Sequence, residues 1–282
     1  MEVTRRAAVL GGTAAAAAAF ASEGLAAPFA WQARHGMTSG QYQQAFDNLV
    51  SQGYRLAHVD GYAVAGQPLF AAIWNKVAGP PWQARHDMDA ARYQMTFDQM
   101  SAQGYRLVKV SGYDGGNGAL YAALWVQRPG PDWRARHGMS SAEYQQTFDN
   151  LTGQGYRLAW VNGYGVAGVP YFAAIFERSP GPAYLARHGM TSDQYQAAFD
   201  SAVAQGYRLR HVDGYTAGGG VPNFAAIWDR VGGGPWQARH NLTSAQYQAR
   251  FDTFTQQGYR LADVSGYDAD GQAMYAALWT QP

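Results

Sequence analysis

Polar and apolar positions follow two different periods between residues 38 and 75. The first stretch has apolar side chains at i, i+3, i+4 and i+7, the stripe of an amphipathic helix: Tyr42, Ala45, Phe46 and Leu49. Thr38 or Ser39 can cap its start, and Gly53 suits the left-handed position just past its end. The pattern therefore predicts a helix over roughly this stretch.

The second stretch, residues 54–75, has the pattern of extended chain. "YRLAHVDGY" at 54–62 predicts a strand, "AVAGQP" a turn, and "LFAAIWN" at 69–75 the returning strand of a hairpin. "PWQARH" at 81–86 adds a short third strand before the next helix. Each unit is thus expected to hold one helix packed on two or three strands.

The same unit occurs five times. The string "ARH" recurs at spacings of 51, 51, 51 and 52 residues, with its histidine at His35, His86, His137, His188 and His240. Such a period indicates repeat architecture. We expect residues 28–282 to form a single domain whose repeats span 31–80, 81–130, 131–180, 181–231 and 232–282.

The outer repeats keep the full apolar template, including Trp31 and Trp279. Open repeat arrays need polar caps at their ends. Because neither end looks capped, the sequence predicts an α/β repeat fold closed into a five-fold pseudosymmetric toroid that resembles a propeller. An open array that dimerises end to end is the alternative.

The segment before the repeats has the features of an export signal. Arg5 and Arg6 precede an alanine-rich run from Ala7 to Phe20, and "GLA" at 24–26 offers small residues for cleavage. This resembles a twin-arginine signal over residues 1–27, with an ordinary secretory signal or a short anchor as alternatives. The protein is therefore expected to be exported, in the periplasm or secreted, with no membrane span in the mature chain.

Composition narrows the classes of partner. The 282 residues carry a formal net charge of +1, with 19 Arg, 2 Lys and no Cys. A balanced charge argues against nucleic acid as the main partner. The predicted partner is an extracellular protein, peptide or glycan, bound by a chain that is itself expected to be a monomer.

The repeat pattern resembles a known family. "WQARHGMTS", "YQQAFDNL", "QGYRLAHVDGY" and "FAAIW" are similar to the bacterial tandem repeat in the N-terminal domain of fungal polyglycine hydrolases. In those enzymes a separate β-lactamase-like serine protease domain carries the chemistry. No S-x-x-K motif occurs here. The resemblance therefore implies an exported accessory or binding module and transfers no catalytic residue.

A repeated Arg–His dipeptide could be interpreted as acid–base machinery. Five equivalent active sites in one chain are improbable, so an architectural role is favoured, with each arginine fork paired to a helix aspartate. The predicted pairs are Arg34–Asp47, Arg85–Asp98, Arg136–Asp149, Arg187–Asp200 and Arg239–Asp252.

The sequence favours neither metal nor cofactor. No H-x-x-x-H or H-E-x-x-H spacing occurs, and cysteine ligands are absent. "DGGNG" at 114–118 and "DADG" at 268–271 are more typical of hairpin turns than of calcium loops. We therefore expect no bound metal, no cofactor and no catalytic residue.

One position in the central strand varies without regard to size or charge. The slot between Leu and Val holds His58, Lys109, Trp160, His211 and Asp263. One interpretation is plain solvent exposure. The sharper hypothesis is a binding surface on one face of a symmetric scaffold, with Trp160 exposed as its anchor.

The sequence thus favours an exported, non-catalytic repeat module that binds a protein, peptide or wall component. One alternative is an extracellular hydrolase built from His and Asp on the variable face, or an accessory domain of a serine-hydrolase system. A lectin that uses exposed Trp and Tyr is another.

Overall fold

The computed structural model describes residues 29–218 and 220–281. The predicted export signal at 1–27 lies outside the described residues. Among those that are described, no helix is long and apolar enough to cross a membrane. One order of elements, strand, helix, strand, strand, is repeated five times.

The elements have nearly equal lengths in every repeat. The first repeat contains β1 (Trp31–Met37), α1 (Ser39–Ser51), β2 (Arg55–Val64) and β3 (Gln67–Asn75). The second contains β4 (Trp82–Asp89), α2 (Ala90–Ala102), β5 (Tyr105–Asp114) and β6 (Ala119–Gln127). The third contains β7 (Trp133–Met139), α3 (Ser141–Gly153), β8 (Arg157–Val166) and β9 (Val169–Glu177). The fourth contains β10 (Tyr184–Thr191), α4 (Ser192–Ala204), β11 (Arg208–Thr216) and β12 (Pro222–Asp229). The fifth contains β13 (Trp236–Thr243), α5 (Ser244–Gln256), β14 (Arg260–Ala269) and β15 (Gln272–Thr280).

Each repeat builds one three-stranded antiparallel sheet. In the first repeat the order is β1-β3-β2, and the other four repeats have the equivalent order. The "WQARH" segment does form a strand, so three strands per repeat is correct. The last strand of each repeat lies in the middle, which is why Phe70 to Trp74 are at most 3 % exposed.

Local sequence determines where the helices begin and end. Thr38 caps α1, accepting a hydrogen bond from the Gln41 amide while the Gln41 side chain returns to the Thr38 amide. After the helix, Gly53 has φ +83°, and the equivalent glycines in the other repeats also have positive φ. The predicted cap and stop are therefore both confirmed.

The apolar core is divided into five clusters, and each is shared by two repeats. Four clusters join repeats that follow each other in the sequence, and the other joins the fifth repeat to the first. Phe70 and Trp74 of β3 pack against Tyr42 of α1 in the same repeat and against Tyr113 of the second repeat. On the opposite face of β3, Ile73 packs against the fifth repeat, including Trp279. A single repeat therefore completes its core only with its neighbours.

The first and fifth repeats are in direct contact. In each repeat the strand after the helix is an edge strand of its own sheet and lies next to the equivalent strands of other repeats. We call these the central strands: β2, β5, β8, β11 and β14. Each contacts the next along the chain, and β14 also contacts β2. At the outer side, the Trp31 ring lies 5.5 Å from the Phe251 ring. Neither outer repeat leaves its apolar face unpacked.

Candidate functional site

The five variable side chains of the central strands meet inside the protein. His58, Trp160, His211 and Asp263 are at most 5 % exposed, and Lys109 is partly buried. The expectation that this slot is exposed, with Trp160 as a surface anchor, is therefore wrong. We call the five residues the slot cluster: His58, Lys109, Trp160, His211 and Asp263.

Burial of the slot cluster has a local cause. In β2 the pairing with β3 shifts register between Leu56 and His58, and the other central strands have the same bulge. The bulge re-aims the side chain that follows it. Rings from non-neighbouring repeats then meet, with His58 and Trp160 at 5.7 Å between centroids.

Asp263 is the charge at the centre of the slot cluster. Its Oδ2 accepts hydrogen bonds from the Val212 amide at 2.9 Å and from His211 Nδ1 at 2.7 Å. His58 Nδ1 lies 3.3 Å from the other oxygen. Burial opposes ionisation, but His211, His58 and Lys109 together hold the pKa of Asp263 below its ordinary value.

The two histidines differ in their hydrogen-bond partners. His211 Nε2 lies 2.6 Å from the Val161 carbonyl, while Nδ1 faces the Asp263 carboxylate. Both nitrogens therefore face acceptors, and a ring protonated on both could donate to each. His58 donates from Nε2 to the Val264 carbonyl, and burial lowers its pKa to about 4, which keeps it neutral at pH 7.

Trp160 packs between Lys109 and His211. Its indole nitrogen donates to the Val110 carbonyl at 2.8 Å. The Lys109 ammonium lies 3.4 Å from the ring centroid, and the His211 ring lies 3.8 Å from it. Burial lowers the pKa of Lys109 to about 8. The Lys109 contact is a cation–π interaction in a desolvated setting, and the His211 contact is a tilted ring pair, so the slot cluster is a packed, buried core.

A second layer of polar side chains follows two residues later on each central strand. Its members are all hydrogen-bond acceptors, and we call them the acid layer: Asp60, Ser111, Asn162, Asp213 and Ser265. Each accepts the amide hydrogen of a glycine in the preceding repeat. The five bonds are Gly61 to Ser111, Gly112 to Asn162, Gly163 to Asp213, Gly214 to Ser265 and Gly266 to Asp60.

The two carboxyls of the acid layer differ from Asp263. Asp60 accepts from the Gly266 amide and the Ser111 hydroxyl, and Asp213 from the Gly163 amide and the Asn162 side chain. All these donors are neutral. Burial raises the pKa of both carboxyls well above the ordinary range, and repulsion from Asp263 adds to this.

The "GY" that ends each central motif is explained by a contact between repeats. A Cβ added to Gly61 would lie 2.4 Å from the Tyr113 ring of the next repeat. The same contact joins Gly112 to Tyr164, Gly163 to Tyr215, Gly214 to Tyr267 and Gly266 to Tyr62. Each glycine is needed because an aromatic ring lies flat against it.

A cavity of about 270 Å³ opens beside the acid layer, and we call it the central pocket. All five repeats contribute to it. Asp60 and Asn162 lie at its buried end, the glycine–tyrosine pairs line its wall, and Asp114, Thr216 and Asp268 lie towards the hairpin turns. The lining side chains differ from repeat to repeat, so the pocket breaks the internal symmetry.

Sequence reasoning missed the central pocket. The acid-layer position holds Asp, Ser, Asn, Asp and Ser in successive repeats, each followed by a glycine. Such variation is also typical of an exposed position that accepts any polar residue. The signal that could have found it is that every member can accept a hydrogen bond. No charged-to-apolar exchange occurs there, in contrast to the slot.

The predicted arginine–aspartate pairs are wrong for four repeats. Arg34 and Arg85 donate to the carbonyls of Ala33 and Ala84. The helix aspartates Asp47, Asp98, Asp149, Asp200 and Asp252 instead accept from the glutamine four residues earlier. In the described chain no ion pair joins Arg34, Arg85, Arg136 or Arg187 to its predicted partner. Arg239 donates to Gln237 and Ala238.

Strand geometry explains the failed pairing. Arg34 lies on the outermost strand of its sheet, where its guanidinium reaches the adjacent backbone, while Asp47 faces solvent on the helix. A glutamine side chain four residues earlier on the helix donates to the aspartate without any reorganisation.

The repeated histidines also join neighbouring repeats. His86 Nε2 lies 3.2 Å from the Ser39 hydroxyl, and three further repeat pairs have the same contact: Ser141–His188, Ser192–His240 and Ser244–His35. Burial lowers the pKa of these histidines. Among the described residues, no three His, Asp or Glu side chains gather in a metal-binding arrangement.

Comparison with protein families accounts for the repeated unit. The family described as "polyglycine hydrolase-like, structural repeat" matches residues 29–77, 79–128, 130–179, 181–231 and 233–282. The chain belongs to this structural-repeat family. The five matches cover nearly all of the described chain, and each begins just before the outer strand of a repeat. The family resemblance seen in the sequence is therefore confirmed.

Proposed function

We propose that this chain is an exported, non-catalytic binding module whose five repeats close into a pseudosymmetric toroid resembling a propeller. Support for closure comes from the glycine-to-acceptor bonds, which run from each repeat to the next and from Gly266 back to Asp60. The hydroxyls of Tyr62 and Tyr275, in the first and fifth repeats, are 2.8 Å apart. Export is proposed from the sequence of residues 5–26.

The observation that carries the binding role is the central pocket. It is formed where all five repeats meet, and its lining side chains are not the same in all of them. Binding sites are usually few, concave and furnished with a small number of convergent polar groups. The proposed ligand is an extracellular protein, peptide or wall component that contacts the face of the hairpin turns and places one group in this pocket.

The chemistry of the lining favours binding over catalysis. Of the described residues that line the central pocket, none is His, Lys or Arg, and the Thr216 hydroxyl is engaged with the Asp268 carbonyl. A nucleophile paired with a base is the usual requirement for covalent hydrolysis. A lectin face receives no support either, because every Trp and Tyr of the described chain is at least partly buried.

The proposal is tested by filling the pocket. Ala63 is partly buried at the pocket lining, and Ala63→Trp should block it. The mature protein is incubated with isolated cell envelope, and the bound fraction is measured after sedimentation. Val50→Trp on the outer helix places the same ring on an exposed surface and serves as the matched control.

We expect Ala63→Trp to lose most of the envelope-bound fraction and Val50→Trp to keep it. Equal binding by all three proteins would refute the central pocket as the ligand site. Equal melting temperatures of the three proteins verify that the fold is retained.

A further inference from the structure

We infer that the central pocket takes a primary ammonium group on a small carrier. The inference rests on the proposed binding function and specifies its ligand chemistry. Three features carry it: the electrostatics of the lining, an acid without a counter-charge at the buried end, and the size of the cavity.

The lining offers negative charge and hydrogen-bond acceptors. Its described carboxyl side chains are Asp60, Asp114 and Asp268, and no cationic side chain is among the described lining residues. The backbone amides of the glycines in the Gly-Tyr pairs are already engaged by the acid layer. An anion would therefore find no cationic side chain among the described lining residues, whereas a donor-rich cation is complementary.

Asp60 is the group that would pair with the ligand. It is 4 % exposed, lines the pocket, and has neutral hydrogen-bond partners in the Gly266 amide and the hydroxyls of Ser111 and Ser265. A buried carboxylate is stabilised by an opposite charge. Asp263, one layer away, faces His211 at 2.7 Å, and the Lys109 charge also stabilises its ionised form. Asp60 would obtain its counter-charge from the ligand.

An organic ammonium fits better than a metal ion. In the described chain no three His, Asp or Glu side chains converge as metal ligands, and Asp114 and Asp268 are each bonded to a backbone amide of a neighbouring turn. An ammonium needs only one carboxylate and a few acceptors. The volume of about 270 Å³ corresponds to about nine waters, which is enough for an ammonium group together with a short carrier.

The source of the ammonium is either a free small amine or the amino terminus of a peptide that begins with glycine. Ethylammonium and glycylglycinamide represent these two sources, and N-acetylglycinamide is the neutral control. Each is titrated into the mature protein by calorimetry. We expect at least one cation to bind and the neutral amide not to bind. Binding of glycylglycinamide alone indicates a peptide amino terminus, and binding of both indicates the ammonium itself.

Asp60→Asn removes the charge without changing the shape, and Asn162 shows that the layer accommodates this side chain. We expect it to weaken ammonium binding at least tenfold. Asp268→Asn, nearer the turns, should weaken binding about threefold. Asp47→Asn on the outer helix removes the same charge away from the pocket and should leave binding unchanged.

The inference is overturned if neither cation binds, or if Asp60→Asn and Asp268→Asn bind as tightly as wild type. It is also overturned if N-acetylglycinamide binds equally well. If, in that case, Ala63→Trp still abolishes envelope binding, the proposed function stands and only the ligand class is refuted.

Discussion

The slot cluster and the acid layer lie two residues apart on the same five strands, yet the pKa values of their carboxyl groups shift in opposite directions. In the slot cluster, Asp263 faces His211, His58 and Lys109, and its pKa is lowered. In the acid layer, Asp60 and Asp213 have neutral hydrogen-bond partners, and their pKa values are raised mainly by burial. The first arrangement forms part of the buried core. The second leaves carboxyl groups without a counter-charge beside a cavity.

This difference explains why the slot varies so widely. Equivalent positions of five repeats meet at one place, so five identical residues would put five like charges or five large rings together. Repulsion between like charges in a low-dielectric interior is severe. A mixture of cation, indole and carboxylate is therefore a packing solution, and the variation is compensation among neighbours.

The largest expected effect comes from removing the ring at the centre of the slot cluster. Trp160→Ala should lower the free energy of unfolding by about 3–5 kcal/mol, the range for a buried aromatic residue. It leaves a cavity, an unpaired Val110 carbonyl, and Lys109 and His211 without their aromatic partner. Urea unfolding followed by circular dichroism measures this, and an unchanged midpoint would contradict the core role of Trp160.

Breaking the charge balance should cost nearly as much. Asp263→Asn leaves His211 and the Lys109 ammonium without the buried carboxylate, and loss of one partner of a buried pair costs about 3–5 kcal/mol. Asp60→Asn is the matched substitution in the acid layer, and we expect it to cost much less because no cation loses a partner. The two unfolding curves are compared at pH 7. Equal losses would show that the two layers do not differ.

Much of the fold could be predicted from the sequence, but the candidate site could not. The helix from Ser39, its stop at Gly53 and the hairpin that follows are local, and periodicity and turn residues encode them. The burial of Trp160 depends on where four other repeats lie. Variability along one chain does not distinguish a position that faces solvent from one that faces its own symmetry equivalents.

The two layers should also give stability opposite dependences on pH. Folded Asp60 and Asp213 hold protons more tightly than the unfolded chain, so their stabilisation is present at low pH and is lost as pH rises from about 4 towards their raised pKa values. Asp263 has a lowered pKa, so its stabilisation is present above about pH 4 and is lost as pH falls.

Unfolding of wild type and Asp60→Asn between pH 4 and pH 8 separates these contributions. The variant should gain stability relative to wild type as pH rises, by at most about 1.4 kcal/mol for each pH unit in that window. The burial that lowers the pKa of His58 to about 4 acts in both proteins and cancels in the difference. A difference that is constant with pH would contradict the raised pKa of Asp60.

The smallest effect is expected at the outer strands, where the predicted architectural arginines lie. Arg136 is exposed, and in the described chain it has no ion pair with Asp149, so Arg136→Ala should change the free energy of unfolding by no more than about 0.5 kcal/mol. Arg210 is the matched comparison, because its Nε lies 2.7 Å from Asp229 and its other nitrogens donate to the Ala159 and Leu158 carbonyls. Arg210→Ala should cost about 1–3 kcal/mol, since those buried acceptors lose their donor. If Arg136→Ala proved as costly as Arg210→Ala, the outer arginines would support the fold after all, through contacts other than the helix aspartates.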